Sequence, residues 1–174
     1  PWDFHERCRA SLETDFLRHF YSHGSGIARH AAESGAALNG VDDGVCVAAL
    51  RLMSTAMGWD FARGGGGLGG GGSFGFVPET QRDGEGSGAG AADTVKIAPG
   101  PGWREVLINP GNNDWLFALH GAAHAKGAVA LAAASRSVIA SLCSLSGLVF
   151  PPQSEDPSEG LRRRHFAQCA ASLT

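Results

Sequence analysis

At 174 residues, 43% of them apolar and with a formal charge of −3, the chain is long enough for one ordinary core and lacks the basic excess of a nucleic-acid binder. Its four cysteines, Cys8, Cys46, Cys143 and Cys169, show no CxxC spacing and fall within or beside helical apolar stripes. They read as buried, reduced thiols rather than a disulfide framework.

Glycine supplies 26 residues, many of them between Arg63 and Gly102, so the folding portion is shorter than the length suggests. The chain opens on Pro1 rather than Met and stops inside a helical pattern, which reads as a piece of something larger. No signal peptide is legible. The longest uncharged stretch, 137–154, contains serines, Gly147 and Pro151-Pro152, and makes a poor membrane span.

In chain order, Leu12, Phe16, Phe20, Ile27 and Ala31 recur at helical spacing. Glu13 and Asp15 lie near the start of that helix, where acidic side chains suit the dipole. Gly24 and Gly26 weaken its middle and predict a bend or break near Gly24. Gly35 and Asn39-Gly40 mark a turn, and Asp42 or Asp43 is placed to cap the next helix. In that helix Cys46, Ala49, Leu50, Met53 and Met57 form one apolar stripe, and Val45, Ala48, Leu52 and Trp59 a second. A helix apolar on two sides needs neighbours on two flanks, as in a stacked helical array.

Composition then changes abruptly. GGGGLGGGG and the polar text after it offer little to build a core, and only Phe74, Phe76 and Val77 have reason to dock. The segment reads as a long, disordered Gly-rich insert. It is no phosphate loop, because no Gly-Lys-Ser/Thr follows and no strand precedes.

Beyond Pro99 and Pro101 a short helix is expected over 102–108, ended by Asn109-Pro110. Asn112, Asn113 or Asp114 can cap the following helix, in which Trp115, Leu116, Leu119 and Ala123 share a face. Gly127 allows a break. Ala128, Leu131, Ser135, Val138, Leu142 and Leu145 then form a long seam, and a last helix starts near Leu161 with His165, Phe166, Cys169, Ala170 and Leu173 on one side. The helices over 43–58 and 127–146 are expected to be the inner, well-buried ones. No window alternates with period two, so the chain is expected to be all-α. Residues 1–62 form one helical block, 63–102 the insert and 103–174 a second helical block.

Chemistry is sparse. His120 and His124, in HGAAH, have the spacing of a zinc-protease pair, yet Gly121 stands where such enzymes carry their catalytic Glu. They read as two polar residues on a solvent edge, and His19 and His23, at the same spacing, read likewise. Asp42-Asp43 reads as a helix start and Glu155-Asp156 as a proline-flanked loop, neither offering a desolvated acid–base pair. Arg162-Arg163-Arg164 reads as a solvated helix face. No enzyme signature, metal site or cofactor site is found.

The pieces FHERCRASLETDFLRHF, AALRLMSTAMGWDF, GWREVLINP and NDWLFALH, with the run 135–150 ending SLSGLVF before Pro151-Pro152, occur in an order that resembles the exportins. These belong to the importin-β, or karyopherin, superfamily. The resemblance covers roughly 4–61 and 103–173 and omits the insert. It implies a HEAT-repeat-like α-solenoid from the N-terminal half of a nuclear transport receptor. By the same resemblance the partners are protein cargo, Ran-GTP and the Phe-Gly repeats of the nuclear pore, and the protein shuttles between nucleus and cytoplasm. No residue here is matched to a Ran or cargo contact. The competing reading is a helical-repeat scaffold or adaptor outside nuclear transport.

Overall fold

The computed structural model describes residues 8, 11–40, 42–59, 61, 97–108, 111–150 and 160–171. Among these the protein is all-α, and its one β-type contact is an isolated parallel bridge between Ile97 and Leu145. A π-helical turn, Leu12–Leu17, runs directly into α1, Arg18–Glu33. Gly35, at φ 74°, and the 3-10 turn Ala36–Leu38 lead to α2, Asp43–Met57. The 3-10 turn Pro101–Trp103 opens the single-turn helix α3, Arg104–Leu107, followed by α4, Asp114–Ala125, and α5, Val129–Cys143. Another 3-10 turn, Gly147–Val149, precedes α6, Gly160–Ala171.

Helices α1 and α2 form an antiparallel hairpin. Cys46 Sγ lies 3.8 Å from the Ala28 carbonyl oxygen, and one turn away Gly24 faces Ala49 and Met53. The break expected at Gly24 does not occur. A Cβ there would sit 3.0 Å from Met53 Cγ and 3.1 Å from the Ala49 carbonyl oxygen, so glycine is what lets the two backbones approach. Tight packing of the pair offsets glycine's poor helix propensity, about 1 kcal/mol relative to Ala.

Helices α4 and α5 make a second hairpin, turned at Gly127 with φ 69°. The two hairpins meet along α2 and α5. There Leu50, Met53 and Met57 of α2 join Leu131, Val138, Ile139 and Leu142 of α5 in one buried cluster. Ser54 Oγ and Ser137 Oγ hydrogen-bond at 2.8 Å across the joint. The seam expected for α5 is buried from Leu131 to Leu145, with Ala128 half-buried. The face expected for α4, Trp115, Leu116, Leu119 and Ala123, is buried throughout.

Trp103 fastens the joint to the first segment. It is 1% exposed, meets Tyr21 and Phe61 edge-on at 6.0 and 5.4 Å, and donates from Nε1 to the Glu13 carbonyl at 3.0 Å. Ile97 N donates to the Ser144 carbonyl at 2.9 Å, and Ser146 N donates to the Ile97 carbonyl at 2.8 Å. The stretch 97–102, which composition assigns to the insert, is therefore part of the packed body. The glycine run and Phe74, Phe76 and Val77 lie outside the described residues.

Several side chains depart from expectation, each for a local reason. The second stripe of α2 stays largely uncovered: Val45 is 54% exposed, Ala48 is exposed, and Leu52 and Trp59 are half-buried. Helices α1 and α5 cover the first stripe, whereas of the second only Leu52, beside Phe16 and Phe20, and Trp59, which donates from Nε1 to Glu13 Oε1 at 3.0 Å, are partly covered. Asn113 occupies the position before α4 but makes no capping hydrogen bond; its Nδ2 donates back to the Leu107 carbonyl at 2.7 Å. Asp42 likewise stands before α2 without a capping hydrogen bond. Cys46 and Cys169 are buried and Cys143 half-buried, whereas Cys8 is exposed, contrary to the expectation for it. All four are free thiols. On α6 the buried side is His165 and Cys169; Ala170 faces solvent, and Leu173 lies outside the described residues.

Candidate functional site

An open surface arises from α1 burying the other side of itself from the one its large residues suggest. The buried positions are Tyr21, Gly24, Ala28 and Ala31. Of the expected stripe only Ala31 is among them. Phe16, Phe20 and Ile27 are 52%, 36% and 49% exposed, and Leu12 is half-buried. Gly24, Ala28 and Ala31 permit close approach to α2 and Tyr21 is buried on the same side, which leaves Phe16, Phe20 and Ile27 outside.

These outward residues build a groove of about 530 Å³ lined by Asp15, Phe16, His19, Phe20, His23 and Leu52. The Phe16 and Phe20 rings lie 4.4 Å apart, tilted, and those of His19 and His23 lie 4.7 Å apart, edge to face. Ile27 stands two turns beyond Phe20, and Val45 two turns before Leu52. Because the hairpin is antiparallel, with Ala28 beside Cys46, both extend the apolar strip toward the same end. A strip of this kind, apolar with imidazoles along it, can seat an apolar ridge of another element and hydrogen-bond at its edge. Its one carboxylate, Asp15, is solvent-exposed.

The other residues singled out from the sequence are dispersed. His120 is buried rather than on a solvent edge. Its Nδ1 lies 3.0 Å from Ser135 Oγ, a hydrogen bond that ties α4 to α5, and Ser135 Oγ also lies 2.8 Å from the Leu131 carbonyl oxygen. His124 is exposed, and the two imidazoles share no site. Asp42 and Asp43 lie at the start of α2, and Glu155 and Asp156 lie outside the described residues. Arg162, Arg163 and Arg164 are exposed; Arg162 stacks over Phe150 at 5.7 Å and Arg164 donates to the Gly160 carbonyl at 3.1 Å. Among the described residues no group of three or more His, Cys, Asp or Glu side chains is placed to hold a metal ion. None of the described helices is long and apolar enough to cross a membrane.

A smaller cavity of about 240 Å³ lies where α6 meets the turn before α4, with Asn113, Arg164 and His165 in its wall. Its polar groups are already engaged: Asn113 with Leu107, Arg164 with Gly160, and His165 Nε2 with the Leu142 carbonyl at 2.9 Å.

Burial lowers the His165 pKa from its ordinary 6.5, and the hydrogen bond to Leu142 opposes that only in part. The folded chain therefore keeps His165 neutral at a pH where the unfolded chain protonates it. Stability from this group is complete above about pH 6.5 and declines as pH falls from there toward the lower native pKa. We expect melting temperature to fall on moving from about pH 7.5 to 5.5, with a slope from this residue of at most about 1.4 kcal/mol per pH unit. The His165→Gln variant should lose that part of the pH dependence. An unchanged slope in the variant would assign the acid sensitivity elsewhere.

Compared with known proteins, the chain matches no family model, no curated protein and no solved structure.

Proposed function

We propose that the chain is a segment of an exportin-4-like nuclear export receptor, a HEAT-repeat α-solenoid of the importin-β superfamily. The receptor binds protein cargo together with Ran-GTP and carries it through the nuclear pore into the cytoplasm. The reading rests on the order of the exportin-like pieces in the sequence. The observation that carries it in the fold is the pairing of two antiparallel hairpins along α2 and α5, with an apolar strip left open on the first. A helix pair in a solenoid buries its apolar faces only against the next pair, so an open strip on an outer pair is the surface a stacked neighbour needs. In this reading Phe16, Phe20 and Leu52 seat a neighbouring helix of the same receptor, and no active site is required.

The test is capture of Ran by the intact receptor. Ran loaded with a non-hydrolysable GTP analogue should be retained and GDP-loaded Ran should not. Cargo and Ran-GTP should each tighten the other's binding by the same factor, as linkage requires. Equal retention of both nucleotide forms, or of neither, would overturn the exportin reading and leave a helical-repeat scaffold.

A further inference from the structure

Two exposed histidines stand one above the other at the start of the first helix. His19 and His23 lie four residues apart in α1, both open to solvent, with ring centroids 4.7 Å apart and ring planes at 65°. On an α-helix that spacing puts two side chains on one face. The buried histidines are engaged otherwise, His120 Nδ1 with Ser135 and His165 Nε2 with the Leu142 carbonyl. Among the described residues neither His19 nor His23 makes a hydrogen bond, so each ring has a nitrogen to offer.

We propose that His19 and His23 chelate one divalent late transition-metal ion, of the zinc, copper or nickel class, each through one imidazole nitrogen, with water completing the shell. Two imidazole nitrogens about 2.1 Å from one zinc ion, at a tetrahedral angle, put the ring centroids about 5 Å apart. The observed 4.7 Å is close to that, so rotation of the side chains alone closes the site. Imidazole is a ligand these ions favour, whereas magnesium and calcium take oxygen donors. The helix holds both backbones, so once one imidazole has bound, the second binds as an intramolecular ligand at high effective concentration.

The surroundings suit a cation. Asp15, one turn before His19, lines the same groove, and its carboxylate is placed to accept a hydrogen bond from a water on the ion. Arg18, the cation next to His19 in sequence, is engaged with the Gly102 carbonyl at 3.1 Å. His19 is the second residue of α1 and follows directly on the π-helical turn Leu12–Leu17, so the ion clamps the opening turn of the helix. The site is a property of this chain alone and does not depend on the exportin reading.

The experiment uses the full chain carrying Cys8→Ser, which removes an exposed thiol that would itself bind the metal. Calorimetric titration with zinc chloride in a non-chelating buffer should show one saturable site, and zinc should raise the melting temperature by mass action. Magnesium chloride should do neither. His19→Ala and His23→Ala should each weaken zinc binding by about a hundredfold, the lower end of what linking two ligands contributes. His30→Ala, which removes another exposed imidazole of α1, should leave it unchanged. A second measurement needs no substitution in the pair: substoichiometric copper should broaden the ring-proton resonances of His19 and His23 before those of the exposed His30 and His124. Zinc affinity unaltered by His23→Ala, first broadening at any other histidine, an equal response to magnesium, or no saturable zinc binding would each overturn the proposal.

Discussion

Replacing Trp103 with Ala is expected to lower stability by about 3–5 kcal/mol, the range for removing a buried aromatic side chain. The indole is enclosed, is met edge-on by Tyr21 and Phe61, and carries a hydrogen bond to the Glu13 carbonyl. Truncation leaves a cavity where three stretches of chain converge and removes the indole donor from that carbonyl. The Tyr21 phenol, buried so completely that its pKa is driven well above the ordinary value, has no hydrogen-bond partner among the described residues. The ring therefore depends on packing alone. Urea melts of parent and variant give the comparison, and Trp103→Phe should recover part of the loss. A melt of Trp103→Ala within error of the parent would mean that the indole is not the anchor.

The second large effect lies at the joint of the hairpins. Leu50→Ala and Leu142→Ala are each expected to cost about 2–5 kcal/mol, through lost transfer energy plus the residual cavity. Both side chains are completely buried, and both belong to the one cluster shared by α2 and α5. Val45→Ala is the matched control: it sits on the same helix as Leu50, is mostly exposed, and should change stability by no more than about 0.5 kcal/mol. Thermal melts in which Leu50→Ala and Val45→Ala behave alike would contradict the burial pattern.

The seams of α2, α4 and α5 can be read from spacing because large apolar residues there are also the covered ones. Leu50, Met53, Leu116, Leu119, Val138 and Leu142 are long side chains at three- and four-residue intervals, and each has a helix over it. On α1 the same rule picks the wrong side. Phe16, Phe20 and Ile27 carry the stronger hydropathy signal, but hydropathy does not say whether a neighbour is present to cover a face. Gly24, Ala28 and Ala31 give almost no signal, and their value is the closeness they permit. That is also why the groove is invisible in the sequence: it consists of residues that spacing alone would bury.

Trp103 and Ile97 are obscured for a different reason. They adjoin a run of Gly, Ala and Pro, where average composition describes the run and not its last few residues. The Ile97–Leu145 bridge is made by backbone groups and leaves no mark in residue type at all. For His120, a lone polar residue on an apolar helix suggests a solvent edge. Ser135, fifteen residues on and itself part of the apolar seam, supplies the partner that makes its burial tolerable.

Glu13 is held twice, by Trp59 through its carboxylate and by Trp103 through its carbonyl, across separations of 46 and 90 residues. Both partners belong to segments that come after α1, so closing either contact requires a long stretch of chain to be brought together first. The hairpins need only local encounters. In the order of folding, the π-helical turn Leu12–Leu17 is therefore expected to join last, once both indoles are in place, and to detach first when the native state opens. Amide hydrogens of α5 should then exchange with solvent far more slowly than those of that first turn.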